Sequence, residues 1–298
     1  MNEYVLAVDI GSNTIKCLFA KKAALSIREI FTNTANFRIC GKSGLVENAK
    51  ELIVRAISEF VELAKKECEN FDIIACATSA LRGAKNADEI CKYVYEKCGV
   101  KINVISGQTE AMLSMSGALS DSALPKFDKC VFFDLGGGSM ECGYCENGRP
   151  EKAISVPIGA VRLTKRFIEN PQMPVSEETI LKINDYCLAQ LGAADFKSHN
   201  KCVIATGGAV AAARLMQKTP NSLPLELGQL KFALKKIAAC SAKERSEKYG
   251  IEPARSDIIA AAFTCILAAL EHFAADKIYY TRKSLRWGMC MEHFRGCF

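Results

Sequence analysis

Histidine is nearly missing from this sequence: His199, His272 and His293 are the only three in 298 residues. Each stands in a loop or an expected helix with no second His at ligand spacing. A His-based catalytic dyad or a His-rich zinc site is therefore not expected. No apolar run approaches the ~20 residues that cross a bilayer, so no membrane partner is expected. The start, Met1-Asn2-Glu3-Tyr4, lacks the basic and apolar segments of a secretory leader, and a cytoplasmic protein is expected. A large surplus of one charge is also lacking: 39 Lys and Arg face 33 Asp and Glu, a net charge of +6. That balance permits a polyanionic ligand without requiring one, and no nucleic-acid partner is expected. There is no low-complexity segment. Chemistry must rest on carboxylates, hydroxyls, backbone amides and cations.

Cysteine, by contrast, is plentiful at fifteen. Most of these residues sit in apolar runs, such as Cys130 before Val131-Phe132-Phe133, where Cys behaves as a small buried hydrophobe. Cys142 and Cys145 have CxxC spacing, yet no second pair stands at zinc-ribbon distance, and ordinary strand residues are the better reading.

The chain is long enough for two domains, and an internal echo says how they are built. Tyr4-Val5-Leu6-Ala7-Val8-Asp9-Ile10-Gly11-Ser12-Asn13-Thr14 leads into Ile15–Ala20. About 125 residues later, Cys130-Val131-Phe132-Phe133-Asp134-Leu135-Gly136-Gly137-Gly138-Ser139 leads into Met140–Cys145. Both read as an apolar strand, Asp-aliphatic-Gly with small residues, then a second strand. Gly and Asn allow the tight reversal, and glycines leave backbone N–H groups open to phosphate oxygens. Ser12 and Ser139 are expected at equivalent places, adding hydroxyl donors. One such hairpin is usually only a turn. Two copies imply a duplicated α/β domain, with a ligand cleft expected between the halves.

Helical spacing is expected over Glu47–Lys66, near Ala87–Lys97, from Gly107 to Leu119, near Val161–Ile168 and at Ser176–Leu191. Further helices are expected after Gly207-Gly208, near Leu227–Cys240, over Arg255–Phe273 and at the end. Further strands are expected at Asp72–Ala77, Lys101–Val104, Glu151–Pro157, Lys201–Ala205 and Lys277–Tyr280. Asp121-Ser122-Ala123-Leu124-Pro125 is the expected boundary, giving domains 1–124 and 125–298, with the last helix able to pack back on the first.

The strand–turn–strand copies resemble the actin-like, sugar-kinase-like ATPase superfamily, of ribonuclease H-like fold. The finer motifs resemble one branch, the Ppx/GppA family of exopolyphosphatases and guanosine pentaphosphate phosphohydrolases. Asp9–Thr14 resembles its first phosphate motif, Ala77–Arg82 its ATxxLR segment, and Val104–Ala111 the segment carrying the catalytic Glu. Asp134–Glu141 is similar to DxGGGSxE, and Pro157–Thr164 to LPxGxVRLT. Ala205–Gly208 resembles a G-x-GG turn, and Ser284–Gly288 resembles GLREG. The matches keep family order across essentially the whole chain. Thr109 stands where the family usually has Glu, Met112 for Arg, Ala209 for Thr and Trp287 for Glu. Thr109 and Met112 are places where substrate grip or turnover could differ. The additional helical domains of long members are missing from this sequence, which bears on processive handling of long chains.

The resemblance implies that Glu110 is the base that orients and deprotonates the attacking water. Unaided, an acid in a helix's first turn equally suits the helix dipole. Asp134 and Glu141 flank a glycine turn and could serve one ion, a setting that suits Mg²⁺ or Mn²⁺. Asp9 is either a further ligand or a support of its own turn. Ser12, Asn13, Gly137, Gly138 and Ser139 are the expected phosphate binders, with Arg82 a fixed bidentate cation. Arg162, Lys165 and Arg166 read as a solvated helix face. Together these imply metal-dependent release of terminal phosphate from inorganic polyphosphate by water. The alternatives are guanosine pentaphosphate as substrate, a kinase or ATPase of the wider superfamily, or a non-catalytic phosphate or nucleotide sensor. The sequence is silent on oligomeric state, although homodimers are common among such enzymes.

Overall fold

The computed structural model describes residues 2–23, 26–41, 44–194, 202–220 and 223–297. His199 and Lys201, the expected first residue of a strand, lie outside the described residues. The first elements are β1 (Tyr4–Ile10), β2 (Ile15–Lys22), β3 (Ile27–Ala35), β4 (Cys40–Gly41), β5 (Gly44–Leu45) and α1 (Ala49–Glu67). Then come β6 (Asp72–Ala77), α2 (Ser79–Arg82), α3 (Ala87–Cys98), β7 (Ile102–Val104) and α4 (Gly107–Leu119). The next are β8 (Lys129–Leu135), β9 (Met140–Glu146), β10 (Arg149–Val156), α5 (Ala160–Phe167), α6 (Glu177–Ala193), β11 (Cys202–Thr206) and α7 (Gly208–Gln217). The last are β12 (Leu225–Glu226), α8 (Leu227–Ala238), α9 (Ala242–Tyr249), α10 (Pro253–Ser256), α11 (Ile259–His272), β13 (Lys277–Tyr280) and α12 (Leu285–Phe294). Two compact units result: Met1–Ser120 with Lys283–Phe298, and Asp121–Arg282.

The first unit holds a five-stranded sheet in the order β3-β2-β1-β6-β7. The β1–β2 pair is antiparallel and β1–β6 parallel. Alternation along β1 sends Leu6, Val8 and Ile10 to one face, where they pack with Ile53, Ile57 and Phe60 of α1. Val5 and Ala7 point the other way, into a core with Leu113 of α4 and Trp287, Met289 and Cys290 of α12. Asp9 has the parity of that second face. Two glycines let α4 and α12 approach closely. A Cβ added at Gly117 would overlap the Ser284 carbonyl, and one at Gly288 the Leu113 carbonyl.

The second unit repeats the plan with a six-stranded sheet, β10-β9-β8-β11-β13-β12. Val131, Phe133 and Leu135 of β8 enter its main core with Ile183 and Leu191 of α6 and much of α11. Asp134 has the opposite parity. β3 was not expected, because its run Ile27–Ala35 is largely polar and half-exposed at the sheet edge. α9 was not expected either, because Ala242–Tyr249 carries almost no apolar face. A capping box makes up for that: the Glu244 amide donates to Ser241 Oγ, while the Ser241 amide donates to Glu244 Oε2. All fifteen cysteines are free. Cys142 joins the main core while Cys145, three residues on, falls on the other side of β9, so the CxxC spacing forms no chelate.

Candidate active site

The two hairpins have the same pairing register, residue for residue. Ile10 pairs with Ile15 and Leu135 with Met140, so each loop is four residues long, Gly11–Thr14 and Gly136–Ser139. Each is closed by the same bond, Gly11 N–H to the Thr14 carbonyl at 3.1 Å and Gly136 N–H to the Ser139 carbonyl at 3.0 Å. This corrects one expectation. Ser139 is the equivalent of Thr14, and Ser12 the equivalent of Gly137, because strand pairing and not the shared Ser fixes the register. Thr14, buried like Ser12 and Ser139, is thus a hydroxyl that the sequence reading passed over.

Both loops engage their carbonyls and leave amides open. In the second unit the amides of Ala160 and Val161, at the start of α5, donate to the carbonyls of Gly136 and Gly137 at 2.9 Å. Arg162 Nε donates to the Gly138 carbonyl at 2.8 Å. Arg162 is therefore a brace of this loop, and Arg166 lies over the Tyr186 ring. Gly159 is required here, since a Cβ on it would overlap Gly137 and Gly138. In the first unit the Cys40 amide donates to the Ser12 carbonyl at 3.3 Å. The amides of Ser12, Asn13 and Thr14, and of Gly137, Gly138 and Ser139, make no hydrogen bond to the described residues. A run of consecutive N–H groups without partners of this kind suits an anion.

Around the first loop, Ser12 Oγ lies 3.2 Å from Ser79 Oγ, and Arg38 Nε donates to Asn13 Oδ1 at 2.8 Å. Arg82 Nη1 donates to Glu110 Oε2 at 3.1 Å and to the Ile105 carbonyl at 2.9 Å. Glu110, in the first turn of α4, is buried, 8% exposed. The structure therefore brings Arg82 and Glu110 together as a pair. Cys76, beside Asp9 in the sheet, reports the local field. Burial, then the Asp9 and Glu110 carboxylates, push its thiol up to about 12. Arg286 was given no role from sequence; its Nη1 donates to the Cys17 carbonyl at 2.6 Å. Burial lowers the Arg286 guanidinium, and the Asp9 carboxylate works against that. Ser106 caps α4 by accepting from the Thr109 amide at 3.0 Å, and the Thr109 hydroxyl lies 2.8 Å from Ser106 Oγ. Trp287 fills the core at 2% exposure. Both departures from the resembled pattern thus have structural tasks.

In the second unit Asp134 stands directly opposite Glu141. Glu141 is buried and accepts from Ser155 Oγ at 2.7 Å. One sheet row therefore reads Ser155, Glu141, Asp134, Thr206, all on the face away from the main core. Directly opposed like charges repel unless a cation separates them. In the first unit the equivalent pair is Asp9 and Lys16, which carries its cation in the sequence. The donor set of Asp134 and Glu141 fits Mg²⁺, which uses one or two carboxylates with water and phosphate completing its shell. Among the described residues no group of three or more His, Cys, Asp or Glu could hold a metal. Gly207, at φ 98°, packs against Asp134, since an added Cβ would lie 3.1 Å from Oδ1. Arg255 lies across Gly208. Burial and then Asp134 raise the Tyr280 hydroxyl, with Arg214, Arg282 and Arg255 opposing.

Fold and loops together define an actin-like α/β protein of two units. An exopolyphosphatase from Cytophaga hutchinsonii shares the fold with a TM-score of 0.88 at 20% identity, covering 99% of each chain. The chain belongs to the Ppx/GppA phosphatase family, which it matches over residues 5–295. Among sequence relatives, a bifunctional 3-dehydroquinate synthase/phosphatase of Fusobacterium nucleatum is 28% identical, covering 96% of this chain and 46% of that protein. The chain thus spans less than half of that relative. Exopolyphosphatase 1 of Mycobacterium leprae is 25% identical, covering 96% of this chain and 88% of that one. No helix among the described residues is long and apolar enough to cross a membrane.

Proposed function

We propose that this protein is a metal-dependent phosphatase that releases terminal phosphate from inorganic polyphosphate by attack of water. The observation that carries the reading is the pair of matched loops, each with three consecutive amides that have no partner among the described residues. Each unit thus offers consecutive amides suited to phosphate oxygens, and the likeness to an exopolyphosphatase over 88% of its length supports a polyphosphate substrate.

Glu110 orients the attacking water and accepts its proton, held in place by Arg82. The loop amides, with Ser12, Asn13, Thr14 and Ser139, grip phosphate oxygens and stabilise charge as it moves to the leaving oxygen. Asp134 and Glu141 hold the cation, and Ser155 fixes the Glu141 carboxylate. When bound, Mg²⁺ supplies charge neutralisation on the phosphate oxygens. The test is phosphate release from polyphosphate, guanosine pentaphosphate and ATP, with and without Mg²⁺, by wild type and Glu110→Gln. Metal-dependent release from polyphosphate by wild type alone is expected. Faster release from guanosine pentaphosphate reassigns the substrate, and no release from a folded protein removes the hydrolase reading.

A further inference from the structure

Ser155 ends the second unit's carboxylate row on the edge strand β10, directly opposite Glu141, which in turn stands opposite Asp134. Its hydroxyl donates to Glu141 Oε1 at 2.7 Å, the length of a charge-assisted bond. Its place is fixed from both sides. Pairing with β9 holds it in register, and further along the same segment Gly159 is pressed against Gly137 and Gly138 of the loop. The first unit repeats the row as Thr34, Lys16, Asp9 and Cys76. There the hydroxyl stands opposite a lysine, which only donates. A hydroxyl donating to the middle of the row is therefore a feature of the copy that pairs two acids.

We infer that Ser155 makes the cation site of the second unit selective for Mg²⁺ over Ca²⁺, by leaving Glu141 at most one oxygen for an ion. This rests on the metal-dependent reading above. Ca²⁺ takes about six to eight oxygens and often draws two of them from one carboxylate. Mg²⁺ is usually held by one or two carboxylates, with water and phosphate completing a smaller shell. With only two carboxylates in the row, the larger shell is best filled by both oxygens of each. At Glu141 the second oxygen is Oε1, where an ion must share or displace the Ser155 proton, the positive end of an O–H dipole. Mg²⁺ needs one oxygen from each acid, so it keeps that bond and gains a carboxylate already held in place. Asp134 is half-buried and Glu141 2% exposed, so an ion approaches the pair from the Asp134 side. Ser155 is thus a positioning residue that acts through Glu141.

The test is the apparent Kd of Mg²⁺ and of Ca²⁺, each read from the rise in melting temperature of the full chain with ion concentration at constant ionic strength. The readout does not depend on turnover. Wild type, Ser155→Ala and Ser155→Thr are compared, the last keeping the hydroxyl on a residue that suits a strand. Ser155→Cys, a weaker donor, stands in if the Ala variant fails to fold. The ratio of the Ca²⁺ Kd to the Mg²⁺ Kd is expected to fall about tenfold in Ser155→Ala, the range of a hydrogen bond to a charged group. Ser155→Thr is expected to keep the wild-type ratio. An Ala variant that weakens both ions alike, or changes neither, would reduce Ser155 to a plain support of Glu141 and overturn the inference. So would a Thr variant whose ratio falls as far as that of Ala. If neither ion raises the melting temperature of wild type, the metal-dependent reading falls and this inference with it, an outcome distinct from the others.

Discussion

Glu110 and Arg82 meet at 3.1 Å with the Glu110 side chain 11% and the Arg82 side chain 28% exposed. A carboxylate this enclosed, with one oxygen on a guanidinium, is held in one orientation, which is what water positioning requires. Glu110→Gln removes the proposed proton acceptor and keeps the shape. Turnover is expected to fall about 10²–10⁴-fold with phosphate affinity retained, read by single-turnover kinetics beside calorimetry. Arg82→Lys keeps the charge but loses the planar fork that reaches both Glu110 and the Ile105 carbonyl. A loss of about tenfold in kcat is expected from it, scaled to one charge-assisted bond. A second residue-scale expectation concerns acid. Burial pushes the Asp72 carboxyl up, but the Asn2 amide and His293 outweigh it and hold it below the usual carboxylate range. Asp72 accepts from the Asn2 amide at 2.9 Å and meets His293 Nε2 at 3.0 Å. A folded pKa below the unfolded value of about 3.9 means the contribution is present above that pH and is lost as pH falls through the folded value. Wild type should therefore melt above Asp72→Asn at pH 7, and the gap should close below about pH 4. A gap that stays constant from pH 7 to pH 3 would remove the carboxylate from the account.

Helix α4, which carries Glu110, owes its place to its neighbour α12 as much as to the sheet. Gly117 lies under the Ser284 carbonyl and Gly288 under that of Leu113, one turn from Glu110. In Gly288→Ala the new methyl meets backbone that cannot yield without moving α4. A cost of about 1–3 kcal/mol is expected, less the small gain in helix propensity. Melting should drop by several degrees, and kcat should fall more than KM rises because Glu110 is displaced while the phosphate loop is not. Activity unchanged at a lowered melting temperature would separate stability from positioning. The helices and inner strands were legible from spacing, since Ile53, Ile57 and Phe60 or Val5 and Ala7 declare a buried face. β3 and α9 were not, because an edge strand and a capped surface helix carry little apolar pattern. For α9 the usable signal was Ser241 followed three residues later by Glu244. The close approach at Gly288 stayed hidden for another reason. A glycine in a helix states that something is near, and only the fold says what.

At the scale of the whole molecule the two halves share one hairpin with one difference in charge. The Asp-plus-loop motif was legible twice in the sequence, but its register was not, because pairing across a hairpin depends on backbone bonds that composition does not record. With the register known, Asp9 opposite Lys16 becomes the counterpart of Asp134 opposite Glu141. One copy carries its own cation and the other lacks one at that position, and the proposed Mg²⁺ site rests on that asymmetry. Anything that binds only the folded state raises its stability in proportion to RT ln(1 + [L]/Kd). Added Mg²⁺ should therefore raise the melting temperature of wild type, and Glu141→Gln should weaken the response by raising the half-maximal Mg²⁺ concentration about tenfold or more, the effect of one lost carboxylate ligand. Glu141→Lys goes further, because it rebuilds the first copy's pair in the second. That variant should fold, melt independently of Mg²⁺ and release no phosphate at any metal concentration. If it instead keeps the wild-type response to Mg²⁺, the ion sits away from Asp134 and Glu141, and the asymmetry between the hairpins belongs to folding alone.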